Sequence, residues 1–342
     1  MSRLEQLLLW ILCLLLISTL AFANDPANEF SISKNPNGVW PYGFTLTLGG
    51  PFTLANGRVI NAVCRSMTDC RYEQGADSWY STAQAAVCNN GIGGNVGRYA
   101  ANDWHPTVDT FAWLDTLQQH PGCNDEKWIV RWTAPLTGKY NLKGSFQGMN
   151  INASTVDVHL RWNSATSLLD NNINGFAQLV SFDLMQQVSA GDTIDFTVGY
   201  GDGMYYGDST ALQLNIDLVP GLNIKPTDAT NAISLSTPGD IPVAILSDAN
   251  FDATTMVDRT SLTFGRIGNE QTLVFRPDAQ DPRLRVPVCK VADVNSDGLK
   301  DLVCTFERKP AGFQFTDSDG MLRGKTVNGI TIKGVDSVHI VK

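Results

Sequence analysis

The chain is short of the residues from which hydrolytic and phosphoryl-transfer sites are usually built. Its 342 residues include only 4 histidines: His105, His120, His159 and His339. It has no Gly-x-Ser-x-Gly elbow, no His-Glu-x-x-His pair and no glycine-rich phosphate loop opening a helix. Glutamate is scarce as well. Beyond the N-terminal run only Glu29, Glu73, Glu126, Glu270 and Glu307 occur, and the aspartates fall mostly in turns or on polar strand faces. Nothing therefore selects the pair of opposed carboxyl groups that glycoside hydrolysis requires. Basic charge is also deficient, with 25 Lys and Arg against 34 Asp and Glu, a net charge of −9. That balance disfavours nucleic-acid phosphates and anionic membrane surfaces.

Long apolar runs are missing everywhere except the N-terminus. There Arg3 precedes an apolar stretch from Leu7 to Leu20, followed by the small-x-small tripeptide Ala21-Phe22-Ala23. This pattern predicts an export signal over residues 1–23, cleaved before Asn24; a retained anchor is the alternative. The mature chain is then expected to be secreted, periplasmic or held at the cell surface, without stable membrane insertion. Six cysteines survive processing: Cys64, Cys70, Cys88, Cys123, Cys289 and Cys304. An even number in an exported chain predicts disulfides, and the absence of paired Cys-x-x-Cys units argues against structural zinc.

Helical periodicity is lacking, whereas turn dipeptides such as Asn37-Gly38, Asn174-Gly175 and Asn328-Gly329 recur. Val156, Val158, Leu160 and Trp162 alternate with Asp157, His159 and Arg161. Ile194, Phe196 and Val198 alternate with Asp195 and Thr197, and Leu212, Leu214, Ile216 and Leu218 with polar neighbours. Period-two alternation marks half-buried strands. The expected fold class is all-β: two antiparallel β-sandwich domains, jelly-roll-like, after the signal peptide.

Tryptophan and tyrosine are both absent after Val219-Pro220-Gly221, and the charge is uneven across that point. Residues 24–219 hold 10 basic and 18 acidic side chains, residues 220–342 hold 14 and 15. A boundary is expected there, giving domains 24–219 and 220–342. The stretch from about 51 to 127 shows few clean strands and four of the six cysteines, so it is read as a loop-rich, Cys- and Trp-rich insert.

The spacing that most strongly dictates a chemistry is Asp293-Val294-Asn295-Ser296-Asp297-Gly298-Leu299-Lys300-Asp301. Asp293, Asn295, Asp297 and Asp301 supply side-chain oxygens, Leu299 a backbone carbonyl and Gly298 a sharp turn. Such a loop wraps calcium with oxygens at about 2.3 to 2.6 Å. Cys304 stands where a helix–loop–helix hand has a bidentate Glu, and the flanks are rich in β-formers, so two strands are expected on either side. An Asx-rich turn without metal is the alternative. Cys289 and Cys304 bracket the loop and are expected to bond across the hairpin. The other four cysteines allow three pairings; proximity favours Cys64–Cys70 with Cys88–Cys123.

For ligand binding the aromatics are the lead, because Trp and Tyr offer flat amphipathic faces on which sugar rings stack. Trp132 and Trp162 alternate as core residues do. Trp79, Tyr80, Trp104, Tyr205 and Tyr206 lie in irregular, glycine-flanked or polar segments and are the candidate ligand-binding residues.

Several motifs also carry resemblances. Trp40-x-Tyr42-Gly43, His120-Pro121-Gly122, Val130 to Pro135 followed by Gly138-x-Tyr140, Ala190 to Phe196 and Asp208-Ser209-Thr210 resemble a jelly-roll domain of bacterial secreted proteins, itself similar to galactose-binding-like and carbohydrate-binding modules. These motifs are structural, so no ligand residues carry over. Ile224-Lys225-Pro226, Gly239 to Leu246, Phe251-Asp252-Ala253, the calcium loop and Gly334-x-Asp336-Ser337-Val338 resemble an unnamed C-terminal module of bacterial extracellular proteins. That resemblance implies a calcium-binding β-sandwich without activity of its own. The expected function is a secreted, non-catalytic protein that binds a glycan or cell-surface polymer and is stabilised by calcium. The rivals are a secreted polysaccharide-acting enzyme and a structural matrix protein.

Overall fold

The computed structural model describes residues 25–60, 76–88, 94–99, 116–150, 155–201 and 203–342. The expected export signal (1–23), Cys64, Cys70 and Trp104 lie outside them. The chain divides into two compact units, Ala23–Gly221 with Ser247–Phe251, and Leu222–Leu246 with Asp252–Lys342.

The described strands of the first unit are β1 (Tyr42–Thr45), β2 (Thr53–Leu54), β3 (Gly57–Val59), β4 (Ala76–Tyr80), β5 (Asn95–Tyr99), β6 (Leu117–His120), β7 (Lys127–Thr133), β8 (Gly138–Gly148), β9 (Thr155–Trp162), β10 (Thr166–Asn174), β11 (Leu179–Val188), β12 (Thr193–Gly199) and β13 (Thr210–Leu218). One helical turn, α1 (Thr82–Ala85), follows β4. The strands form two antiparallel sheets, β10-β9-β12-β7-β1-β2 and β11-β8-β13-β6-β5-β4-β3. The stretch 51–127, read above as loop-rich, thus contributes β2 to β6 among its described residues.

Alternation places Trp128, Val130, Trp132, Val156, Val158, Leu160, Ile194, Phe196 and Val198 in the core. Aromatic pairs join the two sheets: Phe182 of β11 lies 5.9 Å from Phe196 of β12, and Trp132 of β7 lies 4.8 Å from Tyr140 of β8. Gln119 of β6 is fully buried and donates to the carbonyls of Trp128 and Phe196 at 3.0 and 2.9 Å. A buried amide left without such partners would cost about 1–3 kcal/mol, so these bonds also fix the register between layers.

The second unit contains β14 (Leu222–Ile224), β15 (Ala232–Ser234), β16 (Asp240–Ile245), β17 (Val257–Gly265), β18 (Phe275–Pro277), β19 (Arg285–Pro287), β20 (Cys289–Ala292), β21 (Asp301–Glu307), β22 (Asp319–Thr326), β23 (Thr331–Ser337) and β24 (His339–Val341), with a helical turn α2 (Ala253–Met256). Its main layers are β14-β16-β21-β20 and β17-β22-β23, with a parallel pair β15–β24 and a hairpin β18–β19. Phe264 of β17 packs between them, 5.1 Å from Phe306 and 5.8 Å from Phe313. Phe, Ile, Leu and Val fill this core without any Trp or Tyr.

In the first unit an N-terminal segment is pinned across β1. Asn35 donates to the carbonyls of Tyr42 and Ala55 at 2.8 and 3.1 Å and accepts from the Tyr42 N–H at 2.9 Å. The same segment carries Glu29 against Trp40 and Tyr42. Burial pushes the Glu29 carboxyl up to about 7 from its ordinary 4.5, with the Trp40 indole opposing and the Asp25 charge adding to the rise. A folded-state value above the unfolded one means that the folded chain holds the proton longer, so stability is expected to fall as pH rises from about 4.5 to about 7. Glu29→Gln keeps the shape and has no proton to lose. It should flatten that slope and raise Tm at neutral pH in calorimetric scans; an unaltered slope would assign the pH dependence to other groups.

Candidate functional site

Residues 200–209 connect β12 to β13 at one end of the first sandwich. Gly201, Gly203 and Gly207 take φ values of +56°, +94° and +84°, a left-handed backbone that suits glycine. Both ends of the loop are held. The N–H groups of Tyr200 and Gly201 donate to Asp125 Oδ1 at 3.2 Å and Asp157 Oδ1 at 3.0 Å. Asp208 is fully buried and accepts from the Thr155 N–H at 3.2 Å. Lys127 pairs with Asp125, lies 3.3 Å from Asp157 Oδ2, and sits 5.9 Å from the Tyr200 ring centroid.

On this fixed loop the rings of Tyr205 and Tyr206 stack, with centroids 4.3 Å apart and planes 30° from parallel. Tyr205 rests edge-on against His120 at 6.3 Å, and Tyr206 is 64% exposed, with Met204 exposed beside it. Such a pair presents the exposed ring of Tyr206 on a supported base. The structure therefore unites two of the five aromatics expected to bind ligand. Two others are corrected: Trp79 and Tyr80 are strand residues of β4. Trp79 is 8% exposed and donates its indole N–H to the Ser31 carbonyl at 2.8 Å. Tyr80 is half-buried, with its ring against Gly57, where an added Cβ would sit 2.6 Å from Tyr80 Cζ. Trp104 lies outside the described residues. The supporting role of His120 was missed; the contiguous Gly203-Met204-Tyr205-Tyr206-Gly207 run was the available signal.

The outer face of β7, β9, β10 and β12 carries a largely buried charge network, with Asp170 at its exposed margin. Asp157 Oδ2 and Asp170 Oδ1 lie 2.7 and 2.5 Å from the two ring nitrogens of His159. Arg161 donates to Asp170 at 2.5 Å, and Arg131 to both oxygens of Asp195 at 2.6 and 2.8 Å. Burial alone would raise the Asp157 carboxyl, but the His159 hydrogen bond, the Lys127 charge and the Gly201 N–H hold it down at about 2. His159 is thus a structural residue held between two carboxylates.

In the second unit residues 293–300 join β20 to β21, which opens on Asp301, and Cys289 is bonded to Cys304 directly opposite it. A second disulfide joins Cys88 to Cys123. Ser296 and Gly298 turn the loop with φ of +61° and +90°. Its carboxylates accept from its own amides: Gly298 N–H to Asp293 Oδ2 at 3.1 Å, Leu299 N–H to Asp297 Oδ1 at 2.8 Å and Val294 N–H to Asp301 Oδ2 at 2.9 Å. Among the described residues no three His, Cys, Asp or Glu side chains gather as a ready metal cluster. Yet Asp301 is fully buried, and Asp293 Oδ1 is buried with no hydrogen-bond partner among those residues. Hard oxygens with one orphaned carboxylate atom fit calcium.

No family model and no curated protein matches the chain. Solved structures similar to it include the carbohydrate-binding module CBM51 from Clostridium perfringens GH95 in complex with methyl-galactose, at 9% identity over 38% of this chain and 81% of that one, TM-score 0.22. The adhesin domain of Epf from Streptococcus pyogenes is similar at 11% identity over 93% and 96%, TM-score 0.26. A family 35 carbohydrate-binding module from Clostridium thermocellum is similar at 10% over 42% and 89%, TM-score 0.18. Overlaps at these TM-scores carry no argument about ligand or activity.

Burial separates the aromatics energetically. Trp79→Ala is expected to cost about 3–5 kcal/mol in denaturant unfolding, since it opens a core cavity. Tyr206→Ala should change stability by no more than about 0.5 kcal/mol. Comparable losses for both would make Tyr206 a packing residue.

Proposed function

We propose that the protein is an exported, non-catalytic binder of carbohydrate or another cell-surface polymer, with the binding loop on the first unit and a calcium-stabilised sandwich as the second. The observation that carries this reading is the Tyr205–Tyr206 pair, a stacked and exposed platform on a loop fixed at both ends. A sugar ring stacks its C–H face on such a surface while neighbouring polar groups bond its hydroxyls. A shallow site of this kind gives millimolar to micromolar affinity, about 4 to 8 kcal/mol. The acidic excess of residues 24–219, 18 against 10, disfavours anionic polymers. Export is supported by the Leu7 to Ala23 pattern and by the two disulfides. No helix among the described residues is long and apolar enough to cross a membrane.

An acid–base pair for hydrolysis would need free carboxyls. Asp157, Asp170 and Asp195 are instead committed to His159, Lys127, Arg161 and Arg131. In the calcium loop the ion would be held by Asp293, Asn295, Asp297, the Leu299 carbonyl and Asp301. Bound there, it would neutralise three like charges held close together.

A glycan array probed with the full chain, with and without calcium, tests the reading. Neutral or amino-bearing glycans should be retained, and Tyr206→Ala should weaken retention about tenfold without lowering Tm. Failure to retain any glycan would favour a matrix role. Chelation should lower the Tm of the second unit, because a ligand at a hundredfold excess over its dissociation constant adds about 2.7 kcal/mol. Asp297→Ala should reproduce that shift, and an unmoved Tm in chelator would leave the loop as a plain turn.

A further inference from the structure

The second sheet of the first unit turns an unusual outer face to solvent. Its registers set two polar rungs across β11, β8 and β13: Ser181–Ser145–Gln213 and Asp183–Lys143–Asn215. The residues between the rungs point the other way. Phe182 and Leu214 are buried, and a Cβ added at Gly144 would sit 2.8 Å from the Phe182 ring. The small serines hollow the centre of the face, and Asp25 and Thr116 rise along one side. The result is an open groove of about 850 Å³, near the upper end of the ~300–1,000 Å³ typical of ligand sites.

An ordinary solvated strand face is the simpler reading, but three features go beyond it. Ser145, Ser181 and Gln213 make no side-chain hydrogen bond among the described residues, so their donors and acceptors face the groove uncommitted. Lys143 and Asp183 pair at 2.8 Å with side chains 62% and 55% exposed. Exposed pairs of this kind add only about 0–1 kcal/mol, so a ligand hydroxyl competes for Lys143 at little cost, while Asp183 is held in place by the buried Asn141 amide, which donates to its Oδ1 at 2.7 Å. Finally, one wall of the groove comes from the N-terminal segment, which gives the face depth as well as polarity.

We propose that this groove is a second binding site, distinct from the tyrosine loop, for a neutral polyhydroxylated chain such as an oligosaccharide. A hydroxyl both donates and accepts, and the rungs intermix the donor Lys143 and the acceptor Asp183 with two amides that do both, Gln213 and Asn215, the latter also donating to Asp217 Oδ2 at 2.7 Å. Phe182, the one aromatic at the floor, is buried in the core, so a planar ligand finds no face to stack on. Asp25 and Asp183 outweigh Lys143, which excludes polyanions. Three strands at about 4.8 Å spacing give a floor roughly 10 Å across, room for a chain rather than one ring. From Ser209 to Gln213 the strand rises about 13 Å, so the groove and the loop are separate. The inference stands on different residues from the platform and survives if the tyrosines bind nothing.

Isothermal titration of the full chain with cellohexaose, xylohexaose and a galactan hexasaccharide tests it, with polygalacturonate as the anionic control. In the Tyr206→Ala background at least one hexasaccharide should still bind and polygalacturonate should not. Gln213→Ala and Asn215→Ala should each weaken that binding about tenfold at unchanged Tm, and Ser145→Arg, which fills the trough, should abolish it. Should Ser145→Arg misfold, the two alanine variants decide alone. Loss of all binding in Tyr206→Ala would overturn the groove while leaving the platform reading intact. Unaltered affinity in the groove variants would overturn it equally. Loss confined to the groove variants would support the groove and reject the platform.

Discussion

A fully buried indole has a single N–H to satisfy, and Trp128 gives its own to Gln84 Oε1 at 3.1 Å. Much of the first unit depends on that bond. Gln84 belongs to α1, whose N-cap Ser81 accepts from the Gln84 N–H. Four residues on, Cys88 bonds to Cys123. The chain beyond Cys123 turns through Asp125, which takes the Tyr200 N–H at the foot of the tyrosine loop. The same indole leaves no room at Gly94, where a Cβ would fall 1.9 Å from its nitrogen. Packing of one core tryptophan thus reaches, through α1 and a disulfide, to the loop that presents Tyr205 and Tyr206.

The second unit solves the problem of order differently. Its β20–β21 hairpin is closed twice, by a disulfide between directly opposed residues and by a loop whose carboxylates fold onto their own amides. Closing about 16 residues contributes roughly 3 kcal/mol in the chain-entropy picture. Asp301 sits at the junction, buried as the first residue of β21 and bonded back to Val294. A buried carboxylate at the start of a strand is costly unless bonded or neutralised. The unit therefore spends polar groups at the hairpin and keeps its core to Phe, Ile, Leu and Val.

The all-β class and the central strands were legible because half-buried strands declare themselves by period two. Val156, Val158 and Leu160 read as core and are core. The hairpin at Cys289 and Cys304 was legible because a short loop leaves its flanks nowhere else to go. Strands β3 to β5 were not, since each is only three to five residues long, β3 opens on Gly57 and β5 carries Gly97 in its middle. Trp79 illustrates the cause: its hydrogen-bond partner Ser31 lies 48 residues away, so its burial is decided by tertiary contact and not by local pattern. The polar faces were legible as polar. Whether their groups bond each other or face solvent depends on neighbours from four strands, which no single stretch of sequence reveals.

That last distinction divides the first sandwich functionally. On the outer face of its first sheet each carboxylate has a basic partner: Asp195 has Arg131, Asp170 has Arg161 and His159, and Asp157 has His159 and Lys127. A polar group whose bonds are met inside the protein has nothing left to offer a ligand, and burying such a network favours one geometry over alternatives. On the second sheet only Lys143 and Asp183 pair across the face, both more than half exposed, and Ser145, Ser181 and Gln213 keep their bonding capacity toward the groove. Water is the partner these groups exchange on binding, so each ligand hydroxyl gains only the small net difference between two hydrogen bonds. Affinity there has to accumulate over several hydroxyls, which favours a chain of sugars over a single ring and separates the groove's selectivity from that of a stacking platform.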